Sequence, residues 1–217
     1  MSTLDILGKL NGTDKSSNCH NYCVKYEKYL PFNRYDDLKI LEISVLHAKS
    51  LKMWKDYYYR SQIVGIDILP ECKQYEDDRI SIEIGSQNDF EFLKQVSEKH
   101  GLFDMILDDG THRSSDVIFS FVHLFESIKS GGVYIVEDCA TSYWEDFGGG
   151  YLKSDSTIEY FKRLVDDVNF RGLRTHLGDT YRKESVLIPL SEKVQPYCRV
   201  DIESINFLNG IIIITKR

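Results

Sequence analysis

Acidic and polar side chains recur immediately after short apolar runs in this sequence. The runs are dense in Ile, Val and Leu, as expected for strands buried on both faces of a parallel sheet, and the carboxyl ends of such strands share one edge. A carboxylate follows four of the five runs. Single acids often cap helices, but clustered like charges repel unless a ligand or metal offsets them, so a functional edge is favoured. The side chains after the five runs are, in order, Glu42 with Ser44, Asp67, Ser86 with Gln87, Asp108 with Asp109, and Glu137 with Asp138.

The strongest local pattern is the segment Asp108-Asp109-Gly110-Thr111-His112 together with Glu137-Asp138. Asp109, Glu137 and Asp138 would offer only oxygen ligands, which suit Mg²⁺ or Mn²⁺ rather than a thiophilic ion. His112 lies three residues after Asp109 and could accept the proton of a hydroxyl near that ion. The alternative is that His112 only caps a helix beginning near residue 114.

The first predicted strand and turn, LEISVLHAKS, contain no glycine. Dinucleotide-binding turns need glycines so that backbone amides can approach a pyrophosphate, which makes a nicotinamide or flavin enzyme unlikely. S-adenosylmethionine (SAM) has no phosphate but has a ribose diol. Asp67, 25 residues beyond Glu42, is positioned to accept hydrogen bonds from such a diol. The pattern therefore favours SAM over a dinucleotide.

Helical patterns alternate with the apolar runs, which predicts βαβ units. The chain then ends in two apolar runs joined by Asn209-Gly210, the strongest short-range signal of a hairpin. We therefore predict an α/β fold of the Rossmann-like class I methyltransferase type, with a parallel sheet closed by a C-terminal antiparallel hairpin and helices on both faces. The predicted strands are 39–45, 62–68, 80–85, 103–107, 133–136, 202–208 and 211–215; the predicted helices are 4–10, 22–30, 49–58, 89–99, 115–127 and 157–169.

Composition and charge limit the classes of partner. The 217 residues form one predicted domain, 1–217, whose segment 1–31 is a helical cap over the ligand face. A net charge of −7 disfavours nucleic acid, and the longest apolar run, 211–214, is too short to span a membrane. The N-terminus has no signal-peptide pattern, so we expect a cytoplasmic protein; a homo-oligomer remains open. Five cysteines show neither a disulfide framework nor zinc-finger spacing: Cys19, Cys23, Cys72, Cys139 and Cys198.

These motifs carry a family resemblance in their order along the chain. The segment GTDK at 12–15 precedes His20, Tyr22, the LEIxV strand, GIDI, the Gly85-Ser86-Gln87 turn, DDGTH, GGVYIVED and Thr141 to Trp144. From about residue 7 to the hairpin, the chain resembles the metal-dependent sugar O-methyltransferases of macrolide pathways, such as the mycinamicin and tylosin enzymes, and related enzymes that decorate polysaccharides.

The resemblance implies a role for each matching residue. His112 matches the general base, and Asp109, Glu137 and Asp138 match the metal ligands. Tyr143 and Trp144 follow those ligands and could stack on the acceptor, with ordinary packing under a loop as the alternative. The predicted cofactor-binding residues are Thr13, Tyr22, Glu42, Ser44, Ser50, Asp67, Ser86, Gln87, Asp108 and Asp109.

The sequence departs from the family at two positions. Ser44 and Ala48 stand where the family normally has glycines that let the backbone approach the cofactor, so we expect weaker or slightly displaced SAM binding. The predicted function is SAM- and metal-dependent methylation of a sugar hydroxyl, with neighbouring hydroxyls chelating the ion. Two alternatives stay open: a catechol-type small molecule as acceptor, or a degenerate SAM-binding module without turnover.

Overall fold

A computed structural model describes residues 2–169 and 201–217 of the chain, so Cys198 lies outside the described residues. Seven strands form one sheet in the order β3-β2-β1-β4-β5-β7-β6. Neighbours among β1 to β5 pair in parallel, and β7 pairs antiparallel with both β5 and β6. The predicted parallel sheet closed by a C-terminal hairpin is therefore confirmed. The strands are β1 Lys39–Ile43, β2 Gln62–Asp67, β3 Ile80–Ile84, β4 Phe103–Asp108, β5 Ile128–Val136, β6 Ile202–Leu208 and β7 Ile211–Lys216.

The predicted strand boundaries agree with the structure to within two residues, except at the start of β5. It begins at Ile128, five residues before the predicted start, and the prediction missed this part because the residues Lys129 to Gly132 interrupt the apolar pattern but not the strand. A register shift against β4 and a positive φ of 79° at Gly131 accommodate this irregular beginning. An apolar pattern alone does not detect such a stretch.

Six helices have the bounds α1 Thr3–Asn11, α2 Tyr22–Tyr29, α3 Lys49–Tyr57, α4 Phe90–His100, α5 Ser114–Leu124 and α6 Thr157–Arg163. The side chains of Ser2, Asp89 and Ser156 cap α1, α4 and α6 by accepting backbone N–H bonds. The predicted helix 115–127 becomes α5 followed by a 3₁₀ turn, and the predicted helix 157–169 becomes α6 followed, after a break at Leu164, by helical residues 165–169.

Alternate residues of each strand face opposite sides of the sheet, which builds two cores. On β1, Ile40 packs with α1, α2 and α3, whereas Leu41 packs with α4, α5 and α6. This confirms helices on both faces. Helix α1 packs against α2 and α3, and the connection from α1 to α2 carries Lys15 to the carboxyl edge of the sheet. Within the described ranges, no helix is long and apolar enough to cross a membrane.

Candidate active site at the carboxyl edge of the sheet

Backbone hydrogen bonds hold the loops after β1, β4 and β5 against one another. The amide of Ser44 donates to Ile66 O at 2.8 Å, that of Asp109 to Ile43 O at 3.3 Å, and that of Glu137 to Asp108 O at 3.0 Å. These bonds place the side chains after neighbouring strands at the same edge. The edge predicted from the sequence is therefore present in the structure.

Two adjoining cavities open at this edge, and both are lined by Ser44 and Leu46. The larger, about 260 Å³, is also lined by Asp67, Ser86 and Gln87. The smaller, about 180 Å³, is lined by polar and charged groups: Thr13, Asp14, Lys15, His47, Lys49, Ser50 and Asp109. Seven of the ten predicted cofactor-binding residues thus line one of the two cavities, whereas Tyr22, Glu42 and Asp108 line neither.

Asp67 is nearly buried and accepts three backbone hydrogen bonds. Its Oδ2 accepts from Val45 N at 2.8 Å and Leu46 N at 2.9 Å, and its Oδ1 accepts from Leu69 N at 3.0 Å. Burial alone would raise the pKa of Asp67, but these amides lower it below its ordinary value. Asp67 is therefore an ionised acceptor that also shapes the turn beside the larger cavity.

Glu42 and Asp108 are internal. Both carboxylate oxygens of Glu42 are bonded, one by Ser50 Oγ at 2.5 Å and the other by Trp54 Nε1 at 2.9 Å. Asp108 accepts from the Tyr134 hydroxyl at 3.0 Å. Burial raises the pKa of each carboxyl to about 7. Direct contact with a cofactor was predicted for both residues and stays a prediction, since in this structure both are buried and line neither cavity.

Gln87 fixes the turn that carries His112. Its Oε1 accepts from Thr111 N at 2.7 Å, and its Nε2 donates to Asp108 Oδ1 at 3.2 Å and to Ser120 Oγ at 2.9 Å. A Cβ atom on Gly110 would lie 1.9 Å from Gln87 Oε1, so only glycine fits there. Gln87 thus lines the larger cavity and holds the neighbouring turn.

The turn after β1 adopts backbone conformations that favour glycine, although it contains no glycine. Ser44, Leu46 and Ala48 have φ angles of 80°, 46° and 54°, in the left-handed region that costs other residues about 1–2 kcal/mol. Ala48 is fully buried, whereas Ser44 is partly exposed. The two family departures therefore change the side chain but not the conformation of the turn.

We expect Ser44→Gly to raise the free energy of unfolding by about 0.5–1 kcal/mol, because glycine removes the left-handed penalty at a small entropic cost. Urea unfolding measures the change. Ser81→Gly is the matched control: Ser81 is exposed in extended β3, and glycine there should destabilise by about 0.5–1 kcal/mol. Equal decreases in the free energy of unfolding of the two variants would contradict backbone strain at Ser44.

His112 lies between two carboxylates. Its Nε2 is 3.7 Å from Asp138 Oδ2 and 4.0 Å from Asp109 Oδ1, and ligand atoms of the three side chains all lie within 4.8 Å of one another. Its Nδ1 is buried without a hydrogen-bond partner in the described part of the chain. Arg113 precedes α5, and no side-chain bond caps that helix, so the alternative in which His112 is a helix cap is wrong.

Glu137 points away from this group. Its Oε2 accepts from Lys15 Nζ at 2.5 Å, and its Oε1 accepts from the Tyr26 hydroxyl. Of the three predicted metal ligands, the structure brings Asp109 and Asp138 together beside His112, whereas both oxygens of Glu137 are already bonded. Tyr22, predicted at the cofactor, instead donates to Asp138 Oδ1 at 2.6 Å.

Lys15 is the functional residue that the sequence analysis left without a role. It is buried, and its ammonium contacts Asp109 Oδ2 and Glu137 Oε2 at 2.5 Å each and lies 3.8 Å from Glu42 Oε1. Burial would lower the pKa of Lys15, but these carboxylates raise it well above its ordinary value. The signal available in the sequence was the cluster of acids itself, which requires an internal counter-charge.

Tyr143 ends the 3₁₀ turn that follows Asp138, and Trp144 comes directly after that turn. Their side chains are 50% and 55% exposed, and the Trp144 ring contacts Phe147 with centroids 5.7 Å apart. Both rings therefore present free surface, and acceptor stacking remains a prediction.

The sheet order and the C-terminal hairpin are those of the class I methyltransferase fold. The structure matches MycE methyltransferase from the mycinamycin biosynthetic pathway, solved with Mg, SAH and mycinamycin VI, with a TM-score of 0.81 and 28% identity over 98% of this chain and 54% of that one. A putative caffeoyl-CoA O-methyltransferase from Staphylococcus aureus shares the fold at a TM-score of 0.55, with 16% identity over 100% and 93% of the two chains.

The chain is a sequence relative of sugar O-methyltransferases, which confirms the resemblance. It is 35% identical over 172 residues to mycinamicin VI 2''-O-methyltransferase of Micromonospora griseorubida, covering 74% of this chain and 43% of that protein. It is 36% identical over 177 residues to demethylmacrocin O-methyltransferase of Streptomyces fradiae, covering 76% and 44%. The chain spans less than half the length of these curated relatives. No family model matches it.

Proposed function

We propose that this chain is a SAM-dependent, divalent-metal-dependent O-methyltransferase that methylates a hydroxyl of a sugar, either in a glycan or on a glycosylated natural product. The observation that carries the proposal is the position of His112 Nε2 between Asp109 and Asp138, beside the smaller cavity that Asp109 also lines. The names of the curated relatives, two of which are given above, supply the acceptor class.

The two cavities suit the two ends of SAM. The larger contains the ionised Asp67, which would accept hydrogen bonds from the ribose hydroxyls, and its partly apolar walls suit the adenosine. The smaller is lined by polar and charged side chains, among them Thr13, Lys15 and Ser50, and this lining suits the charged amino-acid end. Ser44 and Leu46 line both cavities and would lie beside the middle of the cofactor.

The group around His112 fits a hard divalent ion. Asp109 Oδ1 and Asp138 Oδ2 face the same space, and carboxylate oxygens are the ligands that Mg²⁺ and Mn²⁺ prefer. Glu137 is proposed as a third ligand, although its oxygens contact Lys15 and Tyr26 in this structure. When bound, the ion would orient the acceptor diol and make its hydroxyl proton easier to remove.

His112 would act as the general base. A neutral imidazole that carries its proton on the buried Nδ1 has Nε2 free to accept the acceptor's hydroxyl proton. SAM, when bound, would supply the methyl group, which would pass to the acceptor oxygen as the S–C bond breaks, leaving S-adenosylhomocysteine. Tyr143 and Trp144 would stack on the sugar.

The cofactor assignment is tested at Asp67. We expect SAM to bind and NADH not to bind, and we expect Asp67→Asn to weaken SAM by about 1.5–3 kcal/mol because hydrogen bonds to a charged acceptor are lost. Calorimetric titration measures both. Asp77→Asn is the matched control, since Asp77 also accepts backbone hydrogen bonds, from Arg79 N and Ile80 N, but lines neither cavity. Saturable NADH binding with no heat for SAM would rule out the methyltransferase.

A further inference from the structure

The N-terminal segment holds one oxygen of each carboxylate beside His112. Lys15 Nζ donates to Asp109 Oδ2 at 2.5 Å, and the Tyr22 hydroxyl donates to Asp138 Oδ1 at 2.6 Å. In each carboxylate it is the other oxygen, Asp109 Oδ1 or Asp138 Oδ2, that faces His112 Nε2. Each carboxylate therefore presents a single oxygen to the ion site.

The packing keeps both donors in place. Lys15 is buried and also bonded to Glu137, whose other oxygen accepts from Tyr26. The Tyr22 hydroxyl lies against the C-terminal hairpin, where a Cβ atom on Gly210 would come within 2.5 Å of it. Neither Lys15 nor Tyr22 can turn away without moving a packed neighbour.

A carboxylate that has one oxygen occupied by a hydrogen bond does not bind all divalent ions equally well. Mg²⁺ demands near-ideal octahedral geometry and is satisfied by one oxygen from each carboxylate, with water in the remaining positions. Ca²⁺ takes about 6–8 oxygens in a flexible shell and often binds both oxygens of one carboxylate. For a bidentate contact to form at this site, Asp109 or Asp138 would have to give up its bond to the N-terminal segment.

We propose that Lys15 and Tyr22 are positioning residues that restrict Asp109 and Asp138 to single-oxygen coordination and so select Mg²⁺ or Mn²⁺ against Ca²⁺. The inference rests on the proposed function, because it assumes a divalent ion between these two carboxylates. It assigns the N-terminal segment a role in ion choice that is separate from its contacts with the cofactor cavity.

The test is the ion selectivity of the metal-stripped full chain, measured by calorimetry with Mg²⁺ and Ca²⁺ in separate titrations. We expect Tyr22→Phe and Lys15→Met each to lower the ratio of the Ca²⁺ to the Mg²⁺ dissociation constant by about tenfold, the lower end of the usual effect of removing a group that orients a ligand. Loss of the Lys15 charge should strengthen the binding of both ions alike, because both are divalent, so this effect largely cancels in the ratio of their dissociation constants. Lys15→Arg, which keeps a donor, should stay closer to wild type.

Two matched controls, Tyr57→Phe and Lys52→Met, remove a tyrosine hydroxyl and a lysine ammonium that contact neither Asp109 nor Asp138. Both should leave the ratio of dissociation constants unchanged. Unchanged ratios in Tyr22→Phe and Lys15→Met, with both ions still bound, would overturn the inference and leave the proposed function standing. Failure of both ions to bind the wild type would overturn the inference and the proposed metal dependence together. Should Lys15→Met not fold, Tyr22→Phe decides, since it removes only a hydroxyl.

Discussion

His112→Ala lowers turnover by about 10²–10⁴-fold in the result we expect, the usual contribution of a positioned general base. SAM and metal affinities should change much less, because the histidine lines neither cavity and two carboxylates remain for the ion. Activity should partly return at high pH, where hydroxide replaces the imidazole. The structure favours this outcome over a helix-capping role, since no side chain caps α5.

The measurement is methyl transfer from SAM to a sugar bearing two neighbouring hydroxyls, with Mg²⁺ and with EDTA, for wild type and variant. His123→Ala is the matched control: His123 lies on α5, where it contacts Phe90 and Phe119 rather than the acids. Full wild-type activity in EDTA would remove the metal from the mechanism. Wild-type activity in His112→Ala would show that His112 is not the general base.

Lys15→Met should lower the free energy of unfolding by about 3–5 kcal/mol, the cost of removing one partner from a buried ion pair. The buried carboxylates of Glu42 and Glu137 would lose their counter-charge. The carboxylates raise the pKa of Lys15 above its unfolded value, so its contribution is fully present at neutral pH and is lost only as pH rises through the folded-state pKa. Because burial raises the pKa of Glu42 to about 7, denaturant unfolding at pH 9, where more of that carboxyl is ionised and Lys15 is still protonated, measures more of the effect than unfolding at pH 7.

Two further variants separate this charge effect from lost packing. Lys15→Met combined with Glu137→Gln should recover part of the loss, because the amide leaves no unpaired charge at that position. Lys55→Met removes an exposed pair with Asp77 and Asp78 and should cost only about 0–1 kcal/mol. A loss in Lys15→Met no larger than that in Lys55→Met would contradict the assignment of Lys15 as the internal counter-charge.

Much of the fold could be predicted because its signals are local. Strand β1 is dense in Ile and Leu, and Asn209-Gly210 joins two apolar-rich runs, so residue patterns and turn chemistry indicate the parallel sheet and its hairpin. Strand β5 was predicted too short because Lys129 to Gly132 break the apolar pattern while backbone pairing continues. Side-chain periodicity reports burial, and hydrogen-bond pairing does not depend on burial.

The sequence by itself determined which chemical groups reach the edge of the sheet, because strand order and the alternation of side chains place Asp67, Asp109 and Asp138 there. Only the tertiary structure decided which of these acidic groups are buried, which reach a cavity and which partners they bond. Glu42 and Asp108 are equally acidic in the sequence, but packing buries them, whereas Asp67 reaches a cavity. Lys15 meets Asp109 across 94 residues of chain, and no local pattern encodes a contact over that separation. Burial and long-range pairing depend on how the helices and the sheet pack together, and these contacts form only when the whole chain folds.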